Sequence, residues 1–146
     1  MNALRKFRKS QIRLGATLAA VSLASIASAA DVKVNLSGAQ EVPPVATSAS
    51  GSGTITVNGD KTVSGALTTT GIAGTAAHIH QAAMGQNGGV AVPLEKSGSD
   101  AWRVPAGAKL TDEQYRAYQA GDLYVNVHSA AHPDGEIRGQ LKPGGM

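Results

Sequence analysis

Short runs in which apolar and polar residues alternate make up most of the chain beyond its N-terminal segment. Val32, Val34 and Leu36, for example, are separated by Lys33 and Asn35. This period of two is typical of a β-strand with one buried face. Clusters of glycine, proline, serine and asparagine separate the runs and indicate turns. Strands are therefore predicted at residues 32–36, 53–57, 62–67, 76–80, 90–94, 123–128 and 136–141.

Two local signals refine this pattern. Asn58-Gly59 lies between two alternating runs, which is a strong signal for a β-hairpin. Thr111 and Gln114 have the spacing of a capping box, and Gly121 supplies a left-handed stop. A helix is therefore predicted over residues 112–120. Because the short strands lack the spacing of βαβ units, the predicted fold class is all-β, an antiparallel Greek-key β-sandwich or barrel with one short helix.

The N-terminal segment has a different composition. Basic residues up to Arg13 precede an uncharged run over residues 14–30 that contains Ala27-Ser28-Ala29. This pattern is typical of a secretory signal peptide, which is predicted over residues 1–29. The uncharged run is too short and too rich in alanine and serine for a membrane span. Residues 30–146 are therefore expected to form one exported domain, periplasmic or secreted, with no membrane span after cleavage of the signal peptide.

Cleavage would change the charge of the protein. The full sequence has 13 Lys and Arg, 10 Asp and Glu, and a formal net charge of +3. The signal peptide contains five of the basic residues and none of the acidic ones, which leaves eight basic and ten acidic residues. No Lys/Arg cluster follows, so nucleic acid is not expected as a partner. The absence of cysteine excludes disulfides, thiolate metal ligands and cysteine nucleophiles.

The four histidines lie in two clusters, His78 with His80 and His128 with His132. Residues two apart on a strand share a face, so His78 and His80 can present two imidazoles to one ion. The alternation places Ile79 in the core and turns the histidines of both predicted strands outward. The pattern predicts a metal ion bound by these histidines on the outer face of a barrel, beneath loops. Copper is preferred over zinc because its intrinsic affinity for nitrogen ligands is higher.

Four stretches in order resemble the CHRD family, the domain named after chordin: residues 36–45, 77–80, 121–128 and 133–140. CHRD domains are distantly similar to copper/zinc superoxide dismutases, whose barrel carries a His-x-His pair on one strand and another copper-ligating histidine on a later strand. A superoxide dismutase-like or immunoglobulin-like barrel is therefore expected. The resemblance implies that His78, His80 and His128 are copper ligands. It also makes Arg138 the candidate catalytic residue, at the position of a substrate-guiding arginine.

The sequence also departs from the dismutase pattern. Residues 81–127 contain no histidine, so the zinc subsite of those enzymes is not expected. His132 has no dismutase counterpart, and it either completes a four-histidine site or is solvated in the turn before Pro133. Glu136 and Arg138 have a plainer interpretation as members of cross-strand ion pairs.

Two functional classes remain open at this point. The first is an exported copper-binding protein with a surface multi-histidine site, used for metal binding or buffering or for superoxide-type redox chemistry. The alternative is a non-enzymatic interaction or structural module of the envelope or extracellular space, with a protein of that compartment as its partner. Binding is favoured over dismutase-like catalysis, because function resides in a site and not in a fold.

Overall fold

The computed structural model describes residues 29–144; residues 1–28, on which the predicted signal peptide falls, lie outside the described part of the chain. Within it, the chain forms nine strands, one α-helix and a short 3-10 turn at Gly38–Gln40. The strands are β1 (Ala30–Ser37), β2 (Ser50–Val57), β3 (Val63–Thr70), β4 (Gly74–Gln81), β5 (Gly89–Pro93), β6 (Glu95–Gly98), β7 (Ala101–Arg103), β8 (Leu123–Ser129) and β9 (Ile137–Leu141). The helix is α1 (Asp112–Ala120).

The strands form one antiparallel sheet in the order β5-β4-β8-β9-β1-β2-β3-β7-β6. The two ends of this order, β5 and β6, are consecutive in the chain and separated only by Leu94. The Leu94 N–H donates to the carbonyl of Ala77 on β4 at 2.9 Å. The sheet therefore wraps into a nearly closed barrel, which confirms the predicted all-β antiparallel class.

The interior of the barrel is almost entirely aliphatic. Each strand contributes alternate residues, such as Val32, Val34 and Leu36 from β1. The aromatic exceptions are Tyr118, from α1, and Trp102. The Trp102 indole lies against Gly74, where a Cβ atom would be 2.9 Å from the ring. The core is held mainly by burial of this apolar surface, which contributes roughly 25 cal/mol for each Å² removed from water.

The helix has the predicted ends. Thr111 Oγ1 accepts a hydrogen bond from the Gln114 N–H at 3.1 Å, and Gln114 Oε1 accepts one from the Thr111 N–H at 2.9 Å. At the other end, Gly121 adopts φ 81°, a left-handed conformation that favours glycine. The capping box and the glycine stop therefore act as predicted. No helix among residues 29–144 is long and apolar enough to cross a membrane.

The seven predicted strands are present, most of them with wider bounds, whereas β6 and β7 were not predicted. Every residue of β6 is exposed, so its sequence carries no alternation between a core side and a solvent side. β7 has only three residues, fewer than a periodic pattern needs. The hairpin at Asn58-Gly59 is confirmed by the pairing of β2 with β3.

One part of the sheet is buried on both faces. The inward residues of β4, β8 and β9 face the aliphatic core, and the outward residues lie beneath two segments, residues 39–45 and 82–88, here called the covering loops. Asn87 Nδ2 joins these loops by donating to the carbonyl of Val42 at 2.8 Å. The buried outward side chains beneath or beside the loops are polar or amphipathic: His80, Tyr124, Asn126, Arg138 and Gln140.

The pairing of β9 with β1 depends on the absence of a side chain at Gly139. A Cβ atom there would overlap the carbonyl oxygen of Asn35. We expect Gly139→Ala to lower the free energy of unfolding by about 1–3 kcal/mol, because β9 must move away from β1. Urea unfolding of the purified protein measures this change.

Gly89→Ala is the matched control, since a Cβ atom at Gly89 has no neighbour within 4 Å. Its effect on stability should stay within about 0.5 kcal/mol. Equal stability of the two variants would contradict the close approach of β9 and β1.

Candidate metal centre

Three histidines from two neighbouring strands meet on the outer face of the barrel. His78 and His80 flank Ile79 on β4, and Ile79 is buried in the core. On β8, His128 is paired with Ala76 of β4, two residues before His78. The register therefore brings the third imidazole diagonally beside the pair, on the same face. The predicted outward orientation of these histidines is confirmed.

The nitrogens of these three rings converge. One ring nitrogen from each of His78, His80 and His128 lies within 4.8 Å of the other two, which makes the group able to hold a metal ion. His78 Nδ1 and His128 Nε2 are 3.0 Å apart. His80 is buried, whereas His78 and His128 are half-buried, so the group lies at the boundary between the protein and solvent.

Backbone carbonyls fix which nitrogen of each ring is available. His80 Nδ1 lies 2.9 Å from the carbonyl oxygen of Gly88, and His128 Nδ1 lies 2.8 Å from that of Pro133. A carbonyl only accepts, so in both rings Nδ1 carries the proton and Nε2 carries the free lone pair. Carbonyls that orient imidazoles in this way are typical of metal-binding histidines.

The lone pair of His80 has no partner. Its Nε2 atom is buried and makes no hydrogen bond with any described residue. An unpaired buried polar atom destabilises a protein by about 1–3 kcal/mol. A cation that accepts this lone pair, and those of the two neighbouring imidazoles, would remove the penalty, so the donor set fits a transition metal.

The environment of His78 and His80 favours their neutral form. Burial lowers the pKa of His78, and the nearby imidazoles of His128 and His80 lower it further. Burial likewise lowers the pKa of His80, and the charges of His128 and Arg138 lower it further, whereas the Gly88 carbonyl and the nearby Asn126 side chain raise it. Since only the neutral ring binds a metal ion, both side chains remain competent ligands below the usual titration range of histidine.

A stack of three side chains begins at His80 and crosses the sheet. The rings of His80 and Tyr124 are parallel within 6°, with centroids 4.9 Å apart. The guanidinium carbon of Arg138 lies 3.4 Å from the centroid of the Tyr124 ring. Tyr124 is on β8, between β4 and β9 in the sheet, so the phenol separates the imidazole from the cation. Tyr124 and Arg138 are 2% and 1% exposed.

The buried outward side chains of β4, β8 and β9 form what is here called the polar layer. A buried carboxyl group lies at its other side. Glu41, in a covering loop, is only 5% exposed. Burial raises its pKa to about 7, although the charge of Arg138 and a hydrogen bond with Asn126 act in the opposite direction. Glu41 Oε1 and Asn126 Oδ1 both lack hydrogen-bond partners among the described residues. The outward face therefore holds three unsatisfied polar atoms, one each on Glu41, Asn126 and His80.

The fourth predicted ligand lies elsewhere. His132 is half-buried in the turn after β8, beside Glu41 and Pro43, and it is not part of the three-histidine group. Its backbone N–H donates to Ser129 Oγ at 3.2 Å, and its carbonyl accepts from the Gly135 N–H at 3.1 Å. The backbone of His132 therefore supports the turn that carries Pro133, whose carbonyl orients His128.

The interpretation of Glu136 and Arg138 as cross-strand ion pairs is wrong. The ion pairs among the described residues involve other side chains. Glu136 accepts hydrogen bonds from the hydroxyls of Ser129 and Thr47, and the Ser129 bond is the main cause of its lowered pKa. Arg138 donates to amide and carbonyl oxygens beneath the covering loops. Both side chains are buried, and their hydrogen-bond partners are neutral polar groups.

The sequence did not predict the burial of Tyr124, Asn126 and Glu41 at this site. The alternation of β8 placed Tyr124 and Asn126 beside His128 on its polar face, so the signal for their proximity was present. What the pattern lacked was the register with β4, which pairs His80 with Tyr124 and His78 with Asn126. Glu41 comes from a loop far away in sequence, and no periodic signal points to its burial.

Comparison with known proteins gives one match. The family model described as CHRD domain matches residues 32–141, a span that runs from β1 to the end of β9. No curated protein and no solved structure matched the chain.

The raised pKa of Glu41 predicts a pH-dependent stability. A carboxyl that titrates at 4.5 ordinarily and at about 7 here binds its proton more tightly in the folded state, so stability falls as pH rises between these values. Glu41→Gln removes the penalty. We expect it to increase the free energy of unfolding above about pH 7 by at most about 3 kcal/mol, reduced by solvent screening.

Urea unfolding at about pH 8 and about pH 5 measures the effect, which should be several-fold smaller at the lower pH. Glu113→Gln on the exposed first turn of α1 is the control, with a difference below about 1 kcal/mol at both pH values. A Glu41→Gln variant less stable than the native protein at the higher pH would contradict the burial of an ionisable carboxyl.

Proposed function

The chain belongs to the CHRD domain family, and we propose that it is an exported protein that binds one copper ion through His78, His80 and His128. The observation that carries this proposal is the buried, unpartnered Nε2 atom of His80 beside two further imidazole nitrogens. A protein that used these histidines only for structure would be expected to pair that atom.

The ligand atoms follow from the hydrogen bonds. His80 and His128 would bind through Nε2, because Nδ1 of each ring donates to a carbonyl. His78 Nδ1 lies 3.0 Å from His128 Nε2 and donates its proton to that lone pair in the metal-free protein. His78 would bind the metal through Nδ1 once its ring has changed tautomer and carries the proton on Nε2. Both carbonyls thus hold their rings ready for a metal ion before it arrives, which lowers the entropy lost on binding.

Copper suits this donor set better than the other common metals. The group has three imidazoles and no carboxylate or thiolate ligand, and copper binds nitrogen sites with the highest affinity among the divalent first-row metals. When bound, copper supplies one-electron redox chemistry. Half-buried His78 and His128 leave the site reachable from solvent, so the folded protein can take up the ion.

Binding and buffering fit the geometry better than dismutation. The resemblance to dismutases implied that Arg138 guides an anionic substrate to the metal. Arg138 is 1% exposed and covers Tyr124 beneath the loops, so its charge is not presented at the protein surface. We therefore propose that the protein holds copper in the periplasm or outside the cell, and a superoxide assay of the copper-loaded protein distinguishes this role from catalysis.

The proposal is tested by copper titration of the purified protein, followed by electron paramagnetic resonance. We expect one equivalent of Cu(II) with a nitrogen-ligated spectrum. His80→Ala and His128→Ala should each weaken binding by on the order of 100-fold or more, since even loss of an orienting partner lowers metal affinity about 10–100-fold. Thermal unfolding followed by circular dichroism shows whether the variants are folded.

His132→Ala is the matched control, because it removes a histidine outside the three-histidine group. Its copper affinity should stay within about twofold of the native value, well below the loss expected for a ligand. A folded native protein that takes up no copper would overturn the proposal and favour a structural or interaction module of the envelope.

The lowered pKa values of His78 and His80 predict how copper affinity depends on pH. Protons compete with the metal only below the pKa of each ligand. Because the pKa values of His78 and His80 lie below the ordinary 6.5, protonation of these two ligands should weaken copper binding only as the pH falls below about 6.5, within a titration from about pH 8 to about pH 5. Competition titrations across this range measure it; a fall that begins near pH 8 would contradict neutral, buried ligands.

A further inference from the structure

We propose that the stack of Arg138 and Tyr124 on His80 makes the site hold Cu(I) in preference to Cu(II). The inference rests on the proposed copper site, and it assigns Arg138 and Tyr124 as positioning residues for His80. Neither side chain belongs to the group of three metal-binding candidates. Their effect would reach the metal through the imidazole that they support and through the charge that they place beside it.

The first argument is geometric. Tyr124 lies flat against His80, and Arg138 lies flat against Tyr124. Gly88 makes hydrogen bonds with two members of the stack. Its N–H donates to the Tyr124 hydroxyl at 3.2 Å, and its carbonyl accepts from His80 Nδ1 at 2.9 Å. A Cβ atom at Gly88 would overlap the carbonyl oxygen of Gln81. The close approach of this loop to β4 therefore requires glycine.

The second argument concerns the way in which Arg138 is held. Its Nη1 donates to Asn87 Oδ1 at 3.2 Å, and its Nη2 donates to Gln140 Oε1 at 3.4 Å. These partners are neutral, and neither ion pair of the described residues includes Arg138. The carboxyl of Glu41 also interacts with this charge, but burial raises the Glu41 pKa to about 7. Below about pH 7 the guanidinium therefore keeps a net positive charge inside the protein, stabilised by oxygen acceptors and by the face of the Tyr124 ring.

The third argument is electrostatic. Oxidation of bound Cu(I) to Cu(II) adds one positive charge at the histidine site, and a buried cation nearby opposes that addition. Buried charges are screened much less by salt and water than exposed ones. The guanidinium also withdraws electron density from the Tyr124 ring that stacks on His80. Both effects favour the lower charge on the metal, so the chain is suited to the cuprous ion.

The test compares affinities for the two oxidation states. Competition with a cuprous chelator gives the Cu(I) affinity under ascorbate and without oxygen, and competition with a cupric chelator gives the Cu(II) affinity. In Arg138→Gln, the ratio of Cu(I) to Cu(II) affinity should fall by about tenfold. This is the effect expected when a unit charge, separated from the metal by the stacked rings of Tyr124 and His80, is removed from a medium of intermediate dielectric constant. A purely structural role for Arg138 would weaken both affinities alike.

Two further variants keep the test decisive. Arg138→Leu is a second neutral replacement; it leaves the acceptors on Asn87 and Gln140 unpaired, so thermal unfolding followed by circular dichroism shows whether it is folded. It should lower the same ratio in the same direction. Arg103→Gln removes the same charge from an exposed position on β7, where solvent screens it, and the ratio should stay within about twofold of the native value.

A readout without copper tests the stack itself. The ring protons of His80 are shielded by the Tyr124 ring, so Tyr124→Leu should move their nuclear magnetic resonance signals, and Tyr124→Phe should largely preserve them. Unmoved signals in Tyr124→Leu would overturn the stack.

If the native protein binds copper and both neutral Arg138 variants keep the native ratio, the cuprous preference is wrong while the copper site stands. Absence of copper binding in the native protein would overturn both proposals.

Discussion

Burial of the polar outer face of β4, β8 and β9 is the constraint on which the rest of the site depends. A polar group removed from water must find a protein partner, or it destabilises the fold. The covering loops supply several of those partners. Gln140 Nε2 donates to the carbonyl of Ala82 in one covering loop at 3.0 Å and to that of Gly121 after α1 at 2.8 Å. Arg138 donates to the side-chain oxygen of Asn87, in the same loop as Ala82. The loops and the polar layer therefore hold each other in place.

The contacts between the loops and the polar layer also determine which ring nitrogen of His80 and of His128 can bind a metal ion. The carbonyls of Gly88 and Pro133, which belong to the segments around the polar layer, select one tautomer in His80 and in His128. The layer satisfies most of its polar groups but leaves the lone pair of His80 unpaired. That residual destabilisation is small compared with the affinity of imidazoles for a transition metal. Glu41 Oε1 and Asn126 Oδ1 also lack partners, but among these three atoms only the His80 nitrogen lies in the three-histidine group, where a metal ion would satisfy it.

The amino-acid sequence predicts the barrel and the face of the histidines well, because both follow from local period and local capping. The alternation around Ile79 and along β8 was sufficient to turn His78, His80 and His128 outward. It could not predict the second buried face, since burial of Tyr124, Asn126 and Arg138 depends on loops that are distant in sequence. His132 shows the same limit: proximity in sequence to His128 did not bring it into the three-histidine group. The distant similarity to dismutases and the signal peptide stay predictions.

The most direct test of the central claim is crystallography of the protein soaked with copper, with anomalous scattering data collected at the copper absorption edge. The account predicts one strong anomalous peak between His78 Nδ1, His80 Nε2 and His128 Nε2, at bonding distance from all three. A peak at another position, such as beside His132, or no peak in a crystal that contains the folded barrel, would contradict it.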